Sequence, residues 1–250
     1  MFVVYLAVMT LFAGPAVHAA AAQTTPGAAT TDADALYRDR ERPASALAAE
    51  KVWADRLTAR ADDFEAAWKL ARARYWLGTN GPGTADQKKR VLEQGIAAGR
   101  AAMTARPEAV EGHFWMAANM GALADAHGLR QGMKYRAPIK AALEKAAAIQ
   151  PAYLDGSPDR ALGRWYFKVP GLFGGDVRKS EVHLRKALTY KADSIISLIF
   201  LAETLIELDR TADARATLQA ALGAAPDPAW APEDARFKAQ ARTLLATLGR

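Results

Sequence analysis

Apolar positions along the chain recur at helical spacing, and no stretch alternates with period two for long. The clearest unit lies at 195–228. Leu201, Ala202 and Leu205 share one helical stripe, Ala214, Leu218 and Ala221 a second, and Pro226 closes the unit. Two antiparallel helices satisfy this order: small residues sit where the backbones approach, large ones a turn away, and proline ends the second helix. The register recurs upstream. Leu70-Ala71, Met116-Ala117 and Leu162-Gly163 are first-helix pairs, Ala102, Ala146 and Ala187 second-helix small residues, and Pro107, Pro151 and Ala192 closing positions.

The pattern predicts an all-α, tetratricopeptide-like solenoid of four stacked helix pairs over 44–250. Capping helices are expected at 44–60 and 233–248, because a stacked array otherwise ends in an exposed apolar face. Against a 34-residue repeat the first three units carry about 12, 10 and 5 extra residues. These are expected as enlarged turns within GTNGPGTADQ, AHGLRQGMKYRAP and KVPGLFGGDVRK, each rich in turn-forming residues.

The stretch RALGRWYFKVPGLFGGD (160–176) poses the alternative of a phosphate-cradling loop. Such a loop needs a preceding strand and a Lys-Ser/Thr pair opening the next helix, and neither is present. It reads instead as a first helix, begun at Ser157-Pro158, running into its turn.

The N-terminal run FVVYLAVMTLFAGPAVHAAAA is short and ends in small residues, so residues 1–22 are expected to be a secretory signal and the chain periplasmic or secreted. No Lys or Arg precedes the run, which leaves an upstream start or an uncleaved anchor open. Residues 23–43 are expected to be a disordered leader. The chain has no cysteine, which excludes disulfides, thiol catalysis, thiolate metal sites and a lipid-modified cysteine. The net charge is +6, but both signs are interspersed and aromatics do not alternate with basic residues, so nucleic-acid binding is not expected.

EGHFWMAANMGALAD (111–125), DRALGRWYFKVPGLFGGD (159–176) and KSEVHLRKALTY (179–190) resemble the TRAP transporter T-component family of periplasmic tetratricopeptide-like proteins. A weaker likeness connects the same segments to the regulators of microtubule dynamics. The first resemblance covers roughly 60–230 and implies a partner protein that docks on a solute receptor and holds or conducts a ligand. Members of that family are often lipoproteins; without cysteine this chain cannot be tethered that way.

In stacked pairs the first helices line the concave face, opposite their packing residues. Helical spacing then gives a candidate groove: Trp68, Arg72 and Tyr75; Phe114, Ala118 and Gly121; Arg160, Arg164 and Phe167; Ile199, Glu203 and Ile206. Apolar surface with several arginines suits a peptide or an amphipathic organic acid whose carboxylate meets an arginine. Aromatics at this spacing also serve as plain core, and inserted segments could fill the groove.

The enlarged turns supply a candidate docking rim of Arg130, Lys134, Tyr135, Arg136, Leu172 and Phe173, suited to an acidic protein surface. The bland reading is that the apolar members staple the loops and the basic ones are a solvated face. His113, His127 and His183 share no metal-ligand spacing, and no G-x-S-x-G element is present, so neither metal, cofactor nor catalytic residue is expected. Two readings remain open. One is an exported accessory of a solute transporter that contacts the receptor or holds a hydrophobic organic acid. The other is a structural adaptor of the cell envelope with no small-molecule site. A homo-oligomer is compatible with either.

Overall fold

A computed structural model describes residues 32–249; the expected signal and the first part of the leader lie outside them. All regular elements among the described residues are helical. Two helices, α1 (Ala33–Arg38) and α2 (Pro43–Ala59), lead into four pairs. The pairs are α3 (Phe64–Asn80) with α4 (Ala85–Ala105), α5 (Val110–Ala126) with α6 (Gly128–Ile149), α7 (Ser157–Lys168) with α8 (Val177–Tyr190), and α9 (Ile195–Glu207) with α10 (Thr211–Gly223). Helix α11 (Ala231–Leu248) follows.

The register sets the packing as expected. Ala71, Ala202, Ala102, Ala146, Ala187 and Ala214 are all fully buried, and Leu70, Met116, Leu162 and Leu201 lie beside them in the core. Gly163 shows why that slot must stay small: a β-carbon there would lie 2.6 Å from Leu184 Cγ on the paired helix. Local signals fix the helix starts. The Asp63 side chain accepts from Ala66 N at 3.1 Å, Thr84 and Gln87 form a reciprocal capping box, and Asp176 accepts from Arg178 N at 2.9 Å.

Two expectations need correction. The extra residues of the first two units do not loop out; they lengthen helices. α3, α4, α5 and α6 have 17, 21, 17 and 22 residues, against 13 each for α9 and α10. The capping box starts α4 early, and α6 begins directly after His127 and runs through the exposed Pro138. Only the third insertion is a loop. There Gly171–Phe173 forms a short 3-10 helix, Gly174 takes φ 100°, and Asp176 N donates back to Tyr166 O at 2.9 Å.

The leader is also shorter than expected, since residues 32–43 are folded. The Asp32 side chain caps α1 through Asp34 N and Ala35 N, Asp34 pairs with Lys69, and the Tyr37 ring lies 5.8 Å from that of Trp53. These polar residues gain order from tertiary contacts that composition does not reveal.

α11 packs along α9 and α10 at one end of the array. Its first turn reaches the other end: Arg40, between α1 and α2, donates to Glu233 Oε2 at 2.6 Å and to Ala229 O at 2.7 Å. The superhelix is thereby closed, end against beginning.

Candidate functional site

Closure turns the concave face into a cavity of about 1190 Å³. Tyr75, Phe114 and Trp115 line it from the first two pairs, Trp165 and Phe200 from the later ones, and Phe237 from α11. The aromatic walls are held edge to face. Phe114 packs on Trp115 at 5.1 Å, Trp165 on Tyr166 at 5.0 Å, and Phe200 on Phe237 at 5.8 Å. Ala117, Ala118, Gly121 and Ala122 keep the α5 side open, because they carry almost no side-chain volume into the space.

Arg160 is the exceptional polar group. Its residue is 9 % exposed, it lines the cavity, and its guanidinium donates to Ser157 Oγ. Among the described residues no carboxylate lies within ion-pair distance of it. Ser157 Oγ donates in turn to Leu154 O at 2.6 Å, which fixes its lone pairs towards Arg160. Burial pulls the Arg160 pKa down to about 10, against the upward pull of Tyr75, Asp155 and Asp234. At neutral pH it remains a cation. Asp155 is engaged by Lys191 at 3.6 Å, and Asp234 accepts from Asp227 N at 2.8 Å. A buried charge without a partner is costly, so an anion that reached Arg160 would be strongly favoured there.

Arg164, one turn further along α7, is arranged differently. It pairs with Glu203 and lies over the Phe200 ring at 4.5 Å, while Glu203 also accepts from Gln240 Nε2 at 2.9 Å. Its charge is already neutralised from α9.

The structure therefore brings together Tyr75, Phe114, Ala118, Gly121, Arg160 and Arg164 of the expected groove, with Glu203 behind Arg164. It does not bring the rest. Arg72 is not on the cavity: it is stacked on Tyr37 at 4.1 Å and Trp68 at 5.0 Å and pairs with Asp34 at 3.4 Å. Ile199 is fully buried core beneath α11, Phe167 is half-buried outside the lining, and Ile206 packs with Leu205 and Ala214. The cause is common to both ends. α1 and α2 cover the α3 face at Trp68 and Arg72, and α11 covers the α9 face at Ile199.

Of the expected rim, Arg130 and Lys134 lie on α6, not in a turn, and Tyr135 is half-buried against the core with Lys134 over its ring. Arg136 and Phe173 are on the cavity lining, the guanidinium 5.4 Å from the ring centroid. Trp165 Nε1 donates to Arg136 O at 3.0 Å and ties α6 to α7 beside the loop. Leu172 at the loop apex is 91 % exposed.

Trp76, Ser157, Trp230 and Phe237 also stand on the lining, outside the helical spacing of the expected groove. A fold-back of the last helix was needed to find the C-terminal members, and repeat periodicity carries no sign of it. Among the described residues no group of three or more His, Asp or Glu could hold a metal ion, and no helix is long and apolar enough to cross a membrane. His183 Nδ1 lies 2.8 Å from the buried Asp159 carboxylate, stacked on Tyr166 at 5.3 Å, away from the cavity lining.

These features belong to a helical-repeat protein of tetratricopeptide type, and a tetratricopeptide-repeat model matches residues 175–248. The chain belongs to the family described as regulator of microtubule dynamics protein 1-3, whose model matches residues 29–172. That is the family to which the sequence bore the weaker likeness. Among curated proteins none matches the chain significantly. Among solved structures, a thermophilic tetratricopeptide-repeat protein of Thermus thermophilus is 22 % identical, with 86 % of this chain and 95 % of that chain covered and a TM-score of 0.63. The MamA protein is 14 % identical over 81 % of this chain and 96 % of that one, with a TM-score of 0.49. The first of these supports the fold. Repeat arrays of this kind generally serve protein–protein interaction through extended concave surfaces.

Proposed function

We propose that the protein is an exported binding component that holds a hydrophobic organic acid in its cavity and passes it to or from a protein partner. The observation that carries this reading is the buried, carboxylate-free guanidinium of Arg160 on an aromatic cavity wall. An apolar body fits the walls, and a carboxylate supplies the charge that Arg160 otherwise lacks. The resemblance of 111–125, 159–176 and 179–190 to the transporter T-component family makes a periplasmic solute receptor the partner of this proposal. No catalytic role is assigned to any residue.

Calorimetric titration with decanoate and with decanol tests the reading. Decanoate is expected to bind at least about tenfold more tightly, the increment of one charge-assisted hydrogen bond. Equal affinities, or no binding of decanoate, would contradict it.

A second reading has its own support in Leu172. A leucine 91 % exposed at a loop apex, with exposed Met133 and the basic Lys134 on α6, suits an adaptor that docks an acidic, apolar-pocketed protein through its rim. That adaptor would need no small molecule.

A further inference from the structure

The closure of the superhelix is made by a small set of side chains. Arg40 donates from Nη2 to Glu233 Oε2 at 2.6 Å and from Nε to Oε1 at 3.3 Å, a bidentate pair with side chains 5 % and 16 % exposed. The Arg40 guanidinium lies 5.1 Å from the Trp76 ring, whose Nε1 donates to Arg40 O at 2.9 Å. Arg236, one turn along α11, reaches Asn80 at the end of α3 and lies 5.3 Å from the same Trp76 ring. Trp230, at the start of α11, packs against the core cluster that runs from α1 to α7. Trp76, Asn80, Trp230, Glu233 and Arg236 all line the cavity, so this seam is also its wall.

The rest of α11 is held elsewhere. Phe237, Leu244, Leu245 and Leu248 pack on α9 and α10, and Lys238 Nζ donates to Leu222 O at 3.0 Å. One end of the helix is thus fastened through apolar contacts, while its first turn meets the opposite end of the array through polar and aromatic side chains. In a stacked array each pair contacts its neighbours, and small changes of twist add up along the stack. A contact between the two ends is where such changes meet.

We propose that the Arg40–Glu233 pair is a latch, and that the seam between α11 and the α2–α3 end is the gate through which the cavity is loaded. This rests on the reading of the cavity as a binding site. Opening exposes Trp76 and Trp230 on the two sides of the gap; closing brings Glu233 back under Arg40.

The test uses the full chain and 8-anilinonaphthalene-1-sulfonate, an aromatic anion that fluoresces in apolar surroundings. The protein lacks cysteine, so Asn80→Cys with Arg236→Cys gives a unique thiol pair across the seam for a short bismaleimide. Cross-linking is expected to slow dye association at least about tenfold relative to the same variant with capped thiols, whereas Glu233→Gln should speed it roughly tenfold, the weight of one charge-assisted contact. Amide hydrogen exchange of Glu233→Gln, without dye, should rise at 230–236 and 38–43 and stay unchanged in α9 and α10. Dye entry at equal rates in cross-linked and capped protein overturns the gate. If the wild-type chain takes up no dye, the cavity reading fails, and the exchange experiment alone decides: unchanged exchange at 230–236 overturns the latch as well.

Discussion

Glu203 on α9 neutralises Arg164, while Arg160, one turn away on the same helix as Arg164, has no such partner. Two arginines facing one cavity therefore differ in what they can offer a ligand. The difference arises because α9 presents a carboxylate opposite one turn of α7 only.

Removing that carboxylate should release the second arginine. Glu203→Gln keeps the shape and the Gln240 contact region but leaves Arg164 free, so decanoate affinity should rise about three- to tenfold while decanol affinity stays level. Calorimetry checks both; equal changes for the two ligands would mean that the cavity was merely reshaped.

Acid stability should depend on Asp159. Burial alone would raise its carboxyl pKa, but the hydrogen bond from His183 and the ion pair with Lys186 outweigh burial and hold it below the usual carboxylate value. Its folded pKa is thus depressed. The stabilisation is complete above the unfolded value near ~4 and is lost as pH falls through the folded value. Asp159→Asn should cost about 2 kcal/mol at pH 7, at the modest end because Lys186 is half exposed, and should flatten the acid limb of stability. Urea denaturation across pH 2–7, a range of about five units around the carboxylate value, reads this out; an unchanged acid limb would contradict it.

Gly163→Ala should destabilise by about 1–3 kcal/mol, because the new β-carbon meets Leu184 at 2.6 Å and Ser180 O at 3.1 Å. Thermal unfolding should drop by several degrees. Gly121→Ala is the control, since its β-carbon meets nothing within 4 Å and alanine favours a helix over glycine, so it should be neutral or stabilising; an equal loss there would contradict the clash.

Leu172→Asp should leave thermal stability within about 0.5 kcal/mol, since the side chain is 91 % exposed. Decanoate binding should also be unchanged, while capture of an acidic protein partner through the rim is lost. A large fall in stability would mean that the loop apex staples the fold.

The repeat itself was readable because its slots are stereochemically strict. Ala71, Ala117, Gly163 and Ala202 sit where only small residues allow the helices to approach, and all four are buried. The middle of the candidate site was readable for the same reason: Tyr75, Phe114, Arg160 and Arg164 follow from the face opposite those residues. The ends were not. Arg72 and Ile199 obey the same spacing, yet α1–α2 and α11 cover them, and such fold-back is a tertiary fact with no period. Insert length was legible, but not its outcome. Thr84 and Gln87 converted one surplus into helix, whereas Gly174 and Gly175 kept another as a loop. Arg164 and Arg160 look equivalent in sequence; only the position of Glu203 separates them.

The central claim, that Arg160 is the anion-recognising group of the cavity, is tested most directly by the decanoate-to-decanol affinity ratio of Arg160→Met. The account predicts that this ratio collapses to near one with decanol binding retained. A ratio equal to that of the wild-type chain would contradict it.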